Sequence, residues 1–273
     1  DIDWDITTGP DVSGPGSSGP GLSITDMWDN NGLTNSTVQY EVFAAAGSQC
    51  LGDTLDVVVT VLPAIQLPAL EDELLCPGDE VDAIEFEDIE GATYTWTNSD
   101  VAVGLGAGGE GDIPAWTAST NNTTGSFTST VNVTGQVDNC PALEDSYSIE
   151  VEPTPIVTAT PSQQTLCSGE TTAITLSVNT DDVLVWNSVS SGGNLAPGST
   201  SGSGVLIEDT WTNTGDTNGE VIYTIDAFQP TTCPSVPAEV TVTVLPGLPS
   251  VGPFPDQILC PGEEFAGVDF PEV

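Results

Sequence analysis

The sequence predicts an all-β chain built from tandem sandwich modules, and three observations carry that prediction. The first is a phrase: Leu75-Cys76-Pro77-Gly78-Asp79 returns as Leu166-Cys167-Ser168-Gly169-Glu170 and as Leu259-Cys260-Pro261-Gly262-Glu263, with its cysteines 91 and 93 residues apart. The second is a beat shared by other residues: Cys50, Cys140 and Cys233 follow one another at 90 and 93 residues. Tryptophans follow in two registers, Trp4, Trp96 and Trp186 in one and Trp28, Trp116 and Trp211 in the other. A fixed period of the size of a small domain means copies of one module. The third is the pattern between the cysteines, where Val, Ile, Leu and aromatic residues alternate with polar ones, turn residues recur every roughly 8 to 12 positions and no helical periodicity is present.

Residues 1–63 read as the later part of a first module. Asp1-Ile2-Asp3-Trp4-Asp5-Ile6 alternates as a strand with one buried face, a Gly/Ser/Pro loop runs from Gly9 to Gly21, and Leu22 to Trp28 leads into the turn Asp29-Asn30-Asn31-Gly32. Val38 to Phe43 and Leu55 to Val61 alternate on either side of the break at Gly47 to Cys50, which makes a hairpin. Residues 64–154 form a complete copy: an edge strand over Ala64 to Leu70, the cysteine phrase, Val81 to Phe86, the tryptophan strand Tyr94 to Thr97, a start at Ile113 to Trp116, and a closing hairpin of Phe127 to Val133 with Ser146 to Val151. Residues 155–247 repeat the plan with Ala173 to Val178, Val183 to Trp186, Val205 to Ile207, and Val221 to Ile225 paired with Val240 to Val244. Residues 248–273 begin a further copy. About seven short strands per copy argue for an immunoglobulin-like sandwich, with Trp4, Trp96 and Trp186 filling the core between the sheets. The chain thus reads as a window on a longer array.

The charge is one-sided: 41 acidic residues stand against no Lys, Arg or His, a formal net charge of −41. Such a surface needs screening by salt or divalent cations, and it excludes partners held by phosphate contacts, so neither nucleic acid nor a bare anionic membrane is expected to bind. No apolar run is long enough to insert directly into a bilayer. Trypsin-like proteases find no site. Six cysteines at regular positions indicate an oxidising compartment.

The series Leu-Cys-x-Gly-Glu, Tyr94-Thr95-Trp96-Thr97, Trp211-Thr212-Asn213-Thr214-Gly215-Asp216-Thr217, Val221-Ile222-Tyr223-Thr224-Ile225 and Val240-Thr241-Val242-Thr243-Val244-Leu245-Pro246 resembles the PKD-like repeats of Bacteroidota. These line very large cell-surface proteins, including gliding-motility adhesins of the SprB type exported by the type IX secretion system. The resemblance covers essentially the whole chain and is cleanest over residues 155–247. It implies a secreted, extracellular stalk or filament segment of a cell-surface adhesin, whose partners are neighbouring modules of the same chain, other surface proteins or polysaccharide. The other reading is a polysaccharide-binding or spacer module of a secreted enzyme, with Trp28 or Trp116 exposed as a sugar platform.

Catalysis is not expected. Without His or Lys there is no base for a nucleophilic triad and no Lys for a phosphate-cradling loop. Calcium is the cofactor that the oxygen-rich runs suit, at Glu71-Asp72-Glu73, Asp79-Glu80, Glu85 to Asp88, Asp181-Asp182 and Glu263-Glu264, although no EF-hand or nonapeptide loop is present and solvated acidic faces explain the same runs. In an immunoglobulin-like module the turn between the first two strands lies at the end opposite the closing hairpin. Head-to-tail stacking therefore brings Asp79 and Glu80 toward Asp181 and Asp182, a candidate junction site for Ca2+. The same rule bears on the disulfides. Pairing within a module (Cys76–Cys140, Cys167–Cys233) is the simplest scheme, but a disulfide needs Cα atoms within about 7 Å. The end rule favours Cys76–Cys233 across a junction, leaving Cys50, Cys140, Cys167 and Cys260 for cysteines of other modules.

Overall fold

The structure is a computed structural model that describes residues 2–14, 16, 18–45, 51–196, 198–228, 233–248, 256, 258–265 and 267. Its described elements are strands apart from one 3-10 turn at Val101–Val103. The chain divides into two compact units, one of residues 1–121 and 125–153 and the other of residues 122–124 and 154–273.

The first unit holds two sets of sheets. In residues 2–61, Gly19–Pro20, Ile2–Thr8, Ser36–Ala45 and Leu51–Val61 lie side by side in that order, all antiparallel, and Val12–Ser13 pairs with Asp29–Asn30. Val38 and Tyr40 are buried, but residues 52–60 of the last strand, Leu51–Val61, are exposed on both faces. In residues 73–151, five strands run in the order Gly108–Glu110, Ala92–Asn98, Phe127–Val137, Leu143–Val151, Glu73–Leu75, with only the last pair parallel. Across from them Glu80–Val81 pairs with Trp116–Thr117, and an isolated bridge joins Ile84 to Ile113. The core between holds Trp96, Val131, Val133, Tyr147, Ile149 and Val151, alternate residues whose outward neighbours are Thr, Ser, Asn and Glu.

The second unit repeats this plan with a fuller second layer. Gln163–Leu166, Ala238–Val244, Gly219–Phe228, Val183–Gly192 and Ser201–Ser203 form a five-stranded sheet, the first pair again parallel. Val157–Thr160, Ile174–Val178 and Leu206–Ile207 face it, and Leu195–Ala196 pairs with Thr212–Asn213. Ile174, Leu176 and Ile207 from the small sheet meet Trp186, Val221, Tyr223, Ile225, Val240 and Val242 from the large one. This is the sandwich that half-buried alternating strands form when two apolar faces close on each other.

Several elements differ from expectation. The edge strand before the first cysteine phrase is Glu73–Leu75; Ala64 to Leu70 is irregular, because Pro63 and Pro68 break that run. The turn expected at Asp29-Asn30-Asn31-Gly32 starts later, because Asp29–Asn30 is itself a short strand. Val81 to Phe86 reduces to Glu80–Val81 and the bridge at Ile84. Cys50 lies outside the described residues.

Candidate functional site

The recurring cysteine phrase is a tight turn closed by its own acid. The Asp79 N–H donates to the Cys76 carbonyl at 3.0 Å, Glu170 to Cys167 at 3.1 Å and Glu263 to Cys260 at 3.0 Å. The third residue of each turn takes φ of +90°, +90° and +95°, at Gly78, Gly169 and Gly262, a conformation that only glycine adopts without strain. Each acid then reaches back: Cys76 N–H donates to Asp79 Oδ2 at 2.7 Å, Cys167 N–H to Glu170 Oε2 at 2.7 Å and Cys260 N–H to Glu263 Oε2 at 2.9 Å. The glycine and the acid of the phrase therefore set the turn that presents the cysteine.

Each of the first two turns is seated on a neighbouring strand end. Gly169 N–H donates to the Trp211 carbonyl at 2.8 Å and Trp211 N–H to the Glu170 carbonyl at 3.3 Å. Gly78 N–H donates to the Ala118 carbonyl at 3.0 Å, and Ala118 N–H to the Asp79 carbonyl at 2.9 Å. Ala118 thus occupies the place of Trp211, and Trp116 stands two residues earlier, opposite Val81. The tryptophan register of Trp28, Trp116 and Trp211 is not kept by Trp116.

Beside each turn a buried asparagine ties the strand end. Asn213 Nδ2 donates to the Thr217 and Val244 carbonyls, both at 2.9 Å, and its Oδ1 accepts from Gly215 N–H at 2.9 Å. Asn30 does the same with Thr34 (2.9 Å), Val61 (2.8 Å) and Gly32 (2.9 Å), and Asn121 donates to Gly125 (2.9 Å) and Val151 (3.0 Å). These three were missed as a set, although their spacing of 91 and 92 residues is visible in the sequence.

The tryptophans are interior or lining residues. Trp96, Trp186 and Trp211 are buried, whereas Trp4, Trp28 and Trp116 are half-buried, so Trp28 and Trp116 are less exposed than a sugar platform was expected to be. Trp4, Trp96 and Trp186 each stand across the ladder from a glycine, at Gly19, Gly109 and Gly202. A Cβ at Gly109 would lie 3.0 Å from the Trp96 ring, and one at Gly202 would collide with Trp186, so the glycine leaves room for the indole.

Cys76 and Cys233 are disulfide-bonded, whereas Cys140, Cys167 and Cys260 carry free thiols. With Cys140 and Cys167 free, the within-module pairs Cys76–Cys140 and Cys167–Cys233 are not formed. Among the described residues no three His, Cys, Asp or Glu side chains are grouped to hold a metal ion. Of the four acids expected at a calcium junction, Asp79 is engaged by Cys76 N–H and Asp182 Oδ2 accepts from the Thr180 hydroxyl. Among the described residues no helix is long and apolar enough to cross a membrane.

Within the first unit, the end of the 2–65 segment receives the closing hairpin of the segment that follows. Ala64 N–H donates to the Asn30 carbonyl at 3.2 Å, Glu90 N–H donates to the Leu33 carbonyl at 2.8 Å, and Asn35 N–H donates to Glu90 Oε2 at 2.8 Å. A cleft of about 350 Å3 here is lined on one side by Trp28, Asn30 and Leu62 to Ile65 and on the other by Val137 and Cys140 to Leu143. The Ile65 side chain packs on Gly135, where a Cβ would come within 2.8 Å of it.

A family model described as "PKD-like domain" matches residues 2–65 and 164–248. No curated protein matches the chain. Among solved structures it is similar to a protocadherin gammaB7 EC3-6 cis-dimer (12% identity, 89% of this chain and 68% of that one, TM-score 0.40). It is also similar to human CDH23 EC21-23 (11%, 77% and 74%, TM-score 0.43) and to mouse clustered PcdhgC3 EC1-3 (13%, 77% and 76%, TM-score 0.39).

Proposed function

The chain belongs to the PKD-like domain family, and from that membership we propose that it is a structural segment of the stalk of a very large, secreted cell-surface adhesin of the gliding-motility type exported by the type IX system. Its modules run over residues 1–63, 64–154, 155–247 and 248–273. They are non-catalytic, and their partners are their neighbours in the array, with other surface proteins or polysaccharide engaged elsewhere along the protein. The segment holds a binding tip away from the cell, outside it, and its acidic coat keeps neighbouring stalks apart. Divalent cations, Ca2+ among them, act here as counter-ions to that coat.

The observation that carries this reading is the oxidation state of the cysteines. Cys76 sits in the turn of one copy and Cys233 in the closing hairpin of the next, and these two are oxidised while Cys140, Cys167 and Cys260 are not. That supports a Cys76–Cys233 staple between successive modules. A staple closing a loop of this length restricts the unfolded chain strongly, worth several kcal/mol, roughly 3 to 5, in the chain-entropy view. Such a link suits a filament under tension better than a soluble enzyme accessory.

Non-reducing peptide mapping by mass spectrometry tests it, using proteases that cut at acidic residues because the chain has no Lys or Arg. A peptide joining Cys76 to Cys233 is the expected product. Cys76 joined to Cys140 instead would make the modules independent beads and remove the support for a stapled stalk.

A further inference from the structure

The second unit carries, open, the cleft that the first unit shows filled. Trp28, Asn30, Leu62, Pro63 and Ile65 at the filled cleft correspond, 183 residues on, to Trp211, Asn213, Leu245, Pro246 and Leu248. The backbone bond from Ala64 N–H to the Asn30 carbonyl is matched by Gly247 N–H to the Asn213 carbonyl, both at 3.2 Å. In the second unit all of these positions except Trp211, which is buried, line a cleft of about 1150 Å3 that also includes Cys167 and Ser168 of the cysteine turn. Where Ile65 is half-buried against Gly135 of the incoming hairpin, Leu248 is 85% exposed.

We propose that this cleft is the acceptor for the closing hairpin of another PKD-like module, and that Cys167 forms a disulfide with the hairpin's cysteine once it is seated. The inference rests on the stalk reading above for its biological sense, but its seating geometry comes from the first unit and its thiol from the second. The occupant there is a hairpin whose turn is fixed by its own bonds: Cys140 N–H donates to the Val137 carbonyl at 2.9 Å and Gln136 Nε2 to the Cys140 carbonyl at 2.8 Å. It presents Pro141 to Leu143 to the Leu62–Ile65 side of the cleft and carries Cys140 at the rim. In the second unit the apolar wall is in place, at Leu245, Pro246 and Leu248, and a free, exposed thiol stands beside it at Cys167. Seating a hairpin there would cover Leu248 and raise the effective concentration of one thiol at the other.

The covalent step is thiol–disulfide exchange. The Cys167 thiolate attacks the hairpin cysteine where that sulfur is held in a mixed disulfide with a small thiol; the new S–S bond forms, the old one breaks, and the small thiol leaves and takes up a proton. The oxidising equivalent comes from the low-molecular-weight disulfide.

The test uses the full chain and a synthetic peptide copying Gly135 to Glu144, its cysteine carried as a mixed disulfide with glutathione. After equilibration in a glutathione buffer, peptide mapping reads the adduct at each thiol. Cys260 is the internal control, since its turn has the same glycine and the same acid cap and its thiol is also exposed. The expected result is an adduct at Cys167 about tenfold above that at Cys260, which corresponds to about 1.4 kcal/mol of seating. The exposed variant Leu248→Asp should bring Cys167 down to the level of Cys260. Equal adducts in the parent chain, or a selectivity that Leu248→Asp leaves unchanged, overturns the proposal. A Cys76–Cys233 peptide found together with equal adducts would leave the stalk reading standing and remove only the cleft; selective adducts without that peptide would do the reverse.

Discussion

The Trp211 indole N–H donates to the Tyr223 hydroxyl at 2.7 Å, and that hydroxyl donates to Asp209 Oδ2 at 3.0 Å. The same chain runs from Trp28 through Tyr40 to Asp26 at 2.7 and 3.0 Å. In a protein without Lys, Arg or His, a carboxylate taken out of water can only be met by neutral donors. At Asp209, Ser199 N–H joins the tyrosine on the other oxygen, at 3.3 Å. Tyr223→Phe would keep the ring in its place and leave both the indole N–H and the carboxylate oxygen short of a partner in a buried site. The expected loss is about 2 to 4 kcal/mol in urea unfolding of the full chain, since an orphaned buried group costs about 1 to 3 kcal/mol. Tyr40→Phe should cost less, because Trp28 and Asp26 are only half-buried. Equal and small losses would mean the relay does not hold the sandwich.

The tyrosines also fix the alkaline limit. Tyr223 is pushed well above the ordinary phenol range, first by burial, with the charge of Asp209 adding to it. Tyr40, Tyr94 and Tyr147 are raised too, each mainly by burial. A phenol whose folded pKa exceeds its unfolded value of about 10 contributes stability that is complete below pH 10 and is lost as pH rises through the folded value. Between pH 10 and its folded value Tyr223 removes up to about 1.4 kcal/mol per pH unit, and the other three add to the loss in the same direction. The β-signal in circular dichroism should therefore collapse together with the rise of tyrosinate absorbance near 295 nm. Tyrosinate appearing well before unfolding would show that the phenols titrate inside an intact fold.

The fold was legible because its strands obey the simplest rule in the sequence. In Val221 to Ile225, Val221, Tyr223 and Ile225 point inward and Ile222 outward, as alternation alone predicts. The cysteine phrase was equally plain, but the reason for its acid was not: the sequence displays a charge and hides the N–H that it caps. Trp116 misled because it stands two residues before Ala118, the residue that takes the place of Trp211, in a stretch where this copy also carries one residue more before Asn121. Its Ala118 stands 93 residues before Trp211, whereas Asn121 stands 92 before Asn213. The aromatic has moved in that copy as well. Tyr40 and Tyr223 face Val57 and Val240 across their ladders, whereas Val131 faces Tyr147. The ring fills a corresponding part of the core from the neighbouring strand, a swap that keeps volume and that no register count reveals.

Asn213 should be the most sensitive polar residue of the second unit. It is buried and satisfies the Thr217 and Val244 carbonyls and the Gly215 N–H. Asn213→Ala is expected to lower stability by about 2 to 4 kcal/mol, several backbone groups losing partners at once. Asn213→Asp keeps the shape but turns an acceptor toward the Thr217 and Val244 carbonyls. Its carboxyl would favour the neutral form, so its folded pKa lies above its unfolded value and the penalty grows as pH rises through that range. Thermal unfolding at pH 4 and pH 7 reads this out: the gap between Asn213→Asp and the parent should narrow at the lower pH. A gap independent of pH would place the cost in packing.

The formal charge of −41 gives the last prediction its sign. With no side-chain cation, the compact state gathers like charges that the unfolded chain spreads apart, so screening must favour folding. The Debye length falls from about 30 Å at 0.01 M salt to about 3 Å at 1 M. The melting temperature should climb across that range by about 5 °C or more, a shift equivalent to roughly 1 kcal/mol for a small domain. A typical mixed-charge domain with surface ion pairs would lose some of them under the same treatment. Calcium separates two mechanisms in the same experiment. If the acids act as a diffuse coat, CaCl2 and MgCl2 at equal ionic strength should raise the melting temperature alike and without saturation. A calcium effect that saturates at a stoichiometric ratio and exceeds that of magnesium would instead require a bound ion with oxygen ligands brought together in the folded array.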